Sequence, residues 1–264
     1  MRKSSSQKSQ PRKPTAAPSN TVHLEFAGDL KGKVVLVTGA TQGIGLAIVH
    51  ALAREGCDLI ICGRDRARLS RVEGELSGMS VRVLAVTCDV RQEASVARMF
   101  ATVRKKFPRL DVLVNSAGVA HAFAPVAQLS MEQWNDTLAT NLTGTFLATR
   151  AALPVISRGG SIVNVLSMAS KRAFPNLAAY NASKFGALGF THTLREELRQ
   201  QGIRVIALLP GATDTPIWDT LWPEAPRHKM MRPETVARAL VAALKLPPES
   251  TVEELDLMPT AGAL

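Results

Sequence analysis

From residue 30 onward, short apolar runs alternate with longer stretches of helical pattern, and no other property of this chain restricts its fold so strongly. The runs at 34–37, 58–62, 81–88, 112–114, 161–166, 204–209 and 253–258 read as strands. Helical patterns fall between them: 46–54, a charged stretch through Leu76, 93–107, 131–156, 180–201 and 233–244. Strands separated by helices of this length specify βαβ units and a parallel sheet. Right-handed crossovers wind such units into a single-domain α/β fold, a doubly wound, Rossmann-like parallel sheet of about seven strands with helices on both faces. Its ligand crevice lies beyond the carboxyl ends of the strands. Aromatics are only 5% of the chain, so the apolar content is mostly Ala, Val, Leu and Ile, which suits buried parallel strands.

The domain is expected over residues 23–264. Residues 1–22 have almost nothing to bury and are expected to be a disordered basic tail. Arg2, Lys3, Lys8, Arg12 and Lys13 lie there without an acid, and they supply half of the formal net charge of +10. The rest is spread over helix surfaces without a basic stripe, so the charge serves solubility and does not indicate a nucleic-acid partner. The tail's composition resembles a transit peptide, but Pro11, Pro14 and Pro18 oppose an amphipathic helix. No apolar run approaches the ~18 residues needed to span a membrane. The N-terminus has no signal-like apolar stretch, so a cytoplasmic protein is expected. Cys57, Cys62 and Cys88 form no C-x-x-C pair and are odd in number; they read as small buried hydrophobes, with no metal site implied.

After the first strand comes Thr38-Gly39-Ala40-Thr41-Gln42-Gly43-Ile44-Gly45, leading into a helix. Glycine allows a sharp turn and close backbone approach, while the helix start offers free N–H groups and partial positive charge to a pyrophosphate. Other chemistry-bearing residues also follow strands. Asn115-Ser116-Ala117-Gly118 ends the fourth, Ser167 the fifth and Pro210-Gly211 the sixth. Tyr180, the only tyrosine, stands four positions before Lys184, so a helix would present both on one face.

Taken together, these segments resemble the short-chain dehydrogenase/reductase family. Residues 38–45 are similar to its TGxxxGxG loop, and Asn115–Gly118 to its NNAG segment, with Ser116 in place of the second Asn. Ser167, Tyr180 and Lys184 are similar to its catalytic serine and YxxxK motif, and Pro210-Gly211 to its PG pair. The likeness runs in order from about residue 31 to 257. It implies a nicotinamide cofactor held by Gly39, Thr41, Gln42, Gly43, Ile44, Gly45, Asn115, Ala117 and Gly118. It further implies contacts from Pro210, Gly211, Thr213 and Thr215 to the carboxamide, and from Asp89 and Val90 to the adenine. A helix N-cap is an equally ordinary reading of Asp89, and strand-tying is one for Thr38 and Asn115. NAD-using relatives place an acid after the second strand. Here Arg64 stands there, suited to a 2′-phosphate, so NADP(H) is expected over NAD(H). Asp65 should turn away as the start of the next helix.

The resemblance makes Tyr180 the general acid/base, Lys184 its partner and a ribose ligand, Ser167 the carbonyl-oxygen ligand, and Asn141 the end of a proton relay. A free tyrosine titrates near ~10, so a nearby ammonium and a positive nicotinamide are expected to lower it. A substrate lid is expected at about 215–232, with Trp218, Leu221, Trp222, His228 and Lys229. His121, Phe123, Met168 and Phe174 are further lining candidates for a carbonyl or alcohol substrate. The family also suggests a homodimer or homotetramer, although the chain closes on Leu255–Pro259 without the glycine pair of many relatives. Two alternatives remain: a non-redox epimerase or dehydratase on this scaffold, and a non-catalytic NADP-binding regulator. The short region after Pro210 disfavours the first, and the joint presence of Ser167, Tyr180, Lys184 and Asn141 disfavours the second.

Overall fold

The computed structural model describes residues 28–262, and the expected basic tail lies outside the described residues. Seven strands form one parallel sheet: β1 (Val34–Thr38), β2 (Asp58–Gly63), β3 (Val83–Thr87), β4 (Leu110–Asn115), β5 (Ile156–Val165), β6 (Arg204–Pro210) and β7 (Glu254–Leu257). Their spatial order is β3-β2-β1-β4-β5-β6-β7, so the winding reverses between β1 and β4. That reversal opens the crevice that a doubly wound sheet offers to a ligand.

Strand alternation divides the core between the two faces. Val35 and Val37 of β1 pack with Ile48, Leu52, Leu240 and Leu244, carried by α1 (Gly43–Arg54) and α8 (Pro233–Leu244). α2 (Arg66–Leu76) adds Leu69, Val72 and Leu76 to that side. On the opposite face Val34 and Leu36 meet Met99, Phe100, Leu147 and Leu194. Those come from α3 (Glu93–Lys106), α5 (Gly144–Ala152) and α6 (Ala178–Leu198). The three cysteines are free and buried.

The helix expected over 131–156 is divided. α4 (Met131–Leu138) starts with a capping box between Ser130 and Gln133, a π-helical turn occupies Ala139–Thr143, and α5 ends at Ala152 before the chain enters β5. The π turn inserts an extra residue and directs Asn141 into the interior, where it is 2% exposed. Beyond β6 lie α7 (Ile217–Leu221) and a short turn at Arg227–Lys229.

Candidate active site

One cavity of about 580 Å³ runs along the carboxyl ends of the strands, within the usual size of a small-molecule site. Its floor is the β1–α1 turn. Gly39 has φ +65°, and a Cβ there would lie 2.7 Å from the Ala117 backbone. A Cβ on Gly45 would lie 2.2 Å from the Gly39 carbonyl oxygen. The loop can therefore pack this closely only as glycine. α1 begins at this floor with no acid in its first turn and no side-chain cap from Gln42, leaving its first N–H groups available to an anion. These features fit the pyrophosphate of a dinucleotide.

Gly39, Thr41, Gln42, Gly43, Ile44, Gly45, Arg64, Asp89, Val90, Ala117 and Gly118 all line the cavity. Ser167, Tyr180, Lys184, Pro210, Gly211, Thr213 and Thr215 line it too. Asn115 does not. Its amide donates to Thr149 Oγ1 and Asn164 Oδ1, both at 2.9 Å, tying β4 to α5 and β5. Thr38 has a similar tying role, its Oγ1 accepting from the backbone N–H groups of Ser116 and Ala117.

Beyond β2, exposed Arg64 and Arg68 enter the wall together. Arg68 Nη1 donates to Gln42 Oε1 at 2.5 Å. Sequence reasoning missed Arg68, whose signal was its place in the first turn of α2. Asp65 caps that helix by accepting from the Arg68 N–H. Asp89 is not a helix N-cap, since that position in α3 is Gln92. Both Asp89 oxygens instead accept from the Arg91 guanidinium, which holds the carboxyl below its usual range.

At the other end, β5 leads to Ser167, and α6 brings Tyr180 and Lys184 to the same wall. Lys184 Nζ lies 5.7 Å from the Tyr180 ring centre and donates to the Val165 carbonyl at 3.0 Å. Burial pushes the lysine down to about 8. Burial also pushes the Tyr180 phenol up, opposed by the Ser167 hydroxyl. The expected downward shift of Tyr180 is therefore absent from the protein alone: desolvation outweighs the Ser167 contact, and Lys184 donates to a carbonyl rather than to the phenol.

Asn141 lies behind the wall and does not line it. Its side chain clasps Val119, accepting from that N–H at 2.8 Å and donating to that C=O at 2.9 Å. It also donates to Ser183 Oγ, which donates to the Tyr180 carbonyl at 2.8 Å. Ser183 is thus a linking residue that sequence reasoning missed; only packing of α6 against the π turn reveals it. Phe123, Met168, Phe174, Trp218, Leu221 and Trp222 line the cavity. His121, His228 and Lys229 do not; His121 is buried against the Ala122 carbonyl. Among the described residues, no helix is long and apolar enough to cross a membrane.

The family model for short chain dehydrogenases matches residues 33–226. D-threitol dehydrogenase of Mycolicibacterium smegmatis is 37% identical over 229 residues, covering 83% of this chain and 88% of that protein. An alcohol dehydrogenase of Thermococcus sibiricus, solved with 5-hydroxy-NADP, superposes with a TM-score of 0.81 at 33% identity, over 87% of this chain and 97% of its own. A 3-ketoacyl-(acyl-carrier-protein) reductase of Brucella melitensis, solved with NADH, gives 0.79 at 32%, over 88% and 98%.

Proposed function

Because the chain belongs to the short-chain dehydrogenase/reductase family, a family of nicotinamide-linked oxidoreductases, we propose that it transfers a hydride between NADP(H) and a carbonyl or secondary alcohol, with Tyr180 as general acid/base. The observation that carries this reading is the convergence of Ser167, Tyr180 and Lys184 on one wall of the cavity that the glycine turn floors. Residues 215–232 form the lid of that site.

When bound, the nicotinamide supplies the hydride in reduction and accepts it in oxidation. The chain's residues manage the oxygen and its proton. Ser167 Oγ and the Tyr180 hydroxyl hold the carbonyl oxygen, favouring the charge that develops on it. Tyr180 donates its proton to that oxygen in reduction and takes it back in oxidation. Lys184, charged below about 8, favours the phenolate left behind and binds the ribose. Asn141 acts through Ser183 and Val119, holding the Tyr180 turn against the loop after β4.

Selectivity for NADP(H) rests on Arg64 and Arg68 at the adenosine end. Asp65 is turned to its helix cap and Asp89 to Arg91, so neither is committed to a ribose 2′-hydroxyl. Homo-oligomeric assembly belongs to the same reading, supported by Phe146 and Phe185, which are exposed on α5 and α6.

Tyr180→Phe tests the proposal. General acid catalysis is worth ~10²–10⁴-fold, so carbonyl reduction should fall by that factor while the NADPH dissociation constant stays within about twofold. Turnover at the wild-type rate would refute the assignment.

A further inference from the structure

The cavity has two chemically distinct ends. Its charged lining residues are Arg64, Asp65, Arg68, Asp89 and Lys184, and the first four follow β2 and β3. Ser167, just past β5, and Tyr180 of α6 lie across β1 and β4 from those strands. Around that second end stand Phe123, Met168, Phe174, Trp218, Leu221 and Trp222. The polar capacity of this half is largely used internally. Trp218 Nε1 donates to the Thr213 carbonyl at 2.8 Å, so its indole offers the cavity no donor. Arg227, within the lid, is held by Asp214, Asp219 and the Thr215 carbonyl. Lys184 Nζ spends one of its donors on the Val165 carbonyl and, on the reading above, another on the ribose.

At the rim Phe123 and Trp222 meet from two separate loops, with ring centres 6.3 Å apart and planes tilted by 38°. They remain 45% and 36% exposed, a contiguous apolar pair at a cavity mouth of the kind that marks a ligand-binding groove.

Resting on the carbonyl-reductase reading above, we infer that the substrate is an uncharged ketone or alcohol with a ring-sized apolar body, clamped at the rim by Phe123 and Trp222. Ser167 and Tyr180 satisfy one oxygen. A polyol would bring further hydroxyls into a wall without partners for them, each losing hydrogen bonds to water. A carboxylate or phosphate would find no lining cation at this end besides Lys184, whose donors serve the Val165 carbonyl and the ribose.

The test uses 2-acetylnaphthalene, dihydroxyacetone and pyruvate as probes, on wild type, Phe123→Ala and Trp222→Ala. Binding is read by calorimetry on NADP⁺-saturated protein, and turnover by NADPH oxidation. Burying a second ring is worth roughly a hundredfold, so the aryl ketone should bind about 100-fold tighter than either small probe. Each alanine should weaken it about tenfold, leaving NADP⁺ affinity unchanged. Preference for dihydroxyacetone or pyruvate, absence of aryl-ketone binding, or variants that bind it as wild type does would each overturn the clamp. Aryl-ketone binding with the expected pattern but without turnover would uphold the apolar site and overturn the hydride-transfer reading instead.

Discussion

Replacing the two arginines at the adenosine end should separate the cofactors. Arg64 and Arg68 are exposed, so a phosphate there is held in water-like surroundings. Two unit charges 4 Å apart then gain about 1 kcal/mol, and a phosphate monoester carrying nearly two charges about doubles that. Arg64 lies within electrostatic reach of the cavity: after Arg91, it too helps hold down the Asp89 carboxyl. Arg68 is steadied by Gln42 at 2.5 Å, which limits the side-chain entropy lost when it takes a ligand. Each arginine-to-alanine change should therefore weaken NADPH by roughly tenfold, and the double variant by roughly a hundredfold. NADH, which lacks the 2′-phosphate, should shift less than about threefold, and Arg64→Asp should invert the preference by adding repulsion. Raising salt from ~0.05 to ~0.5 M shortens the screening length from about 14 to about 4 Å, so wild-type NADPH affinity should erode more than that of the double variant. Fluorescence titration of both nucleotides measures all of this. Equal losses for NADPH and NADH would show that the arginines support the adenosine or the fold, and would refute the 2′-phosphate assignment.

Gly45→Ala places a Cβ 2.2 Å from the Gly39 carbonyl oxygen, so the turn must open; nucleotide binding should fall at least about a hundredfold, and wild-type affinity in titration would sink the cradle argument. Lys184 has a folded value of about 8 against an ordinary 10.5, so its charged form is the disfavoured one in the folded chain. Wild-type stability relative to Lys184→Met should thus rise by about 3 kcal/mol as pH climbs from 8 through 10.5, and be lost again as pH falls through 8. Chemical denaturation of both proteins across that window reads the difference, and parallel pH curves would count against a desolvated ammonium.

What the sequence disclosed depended on whether one element carried the signal. The sheet was legible because each strand is an apolar run bounded by turn residues, and the helix read over 233–244 spans those residues in the structure, with Pro233 in its first turn. Tyr180 and Lys184 were legible as a pair because both lie on α6. Asn115 was ambiguous because its role depends on register. Only the pairing of Asn115 with Asn164 across β4 and β5 makes it a strand tie set back from the cavity. The π turn at Ala139–Thr143 left no mark, since one extra residue hardly disturbs an apolar period, yet it sends Asn141 to Ser183 and Val119. The phenol of Tyr180 was harder still. Spacing supplies the neighbouring ammonium, but burial pushes the phenol up and only the Ser167 hydroxyl opposes it. On the proposed acid/base role, a phenol raised even with the Ser167 contact in place exchanges protons inefficiently near neutrality, so the remaining lowering falls to the charge brought by the oxidised nicotinamide. On that proposal the site is only half-tuned until the cofactor arrives, a property that neither the motif nor the cavity wall expresses alone.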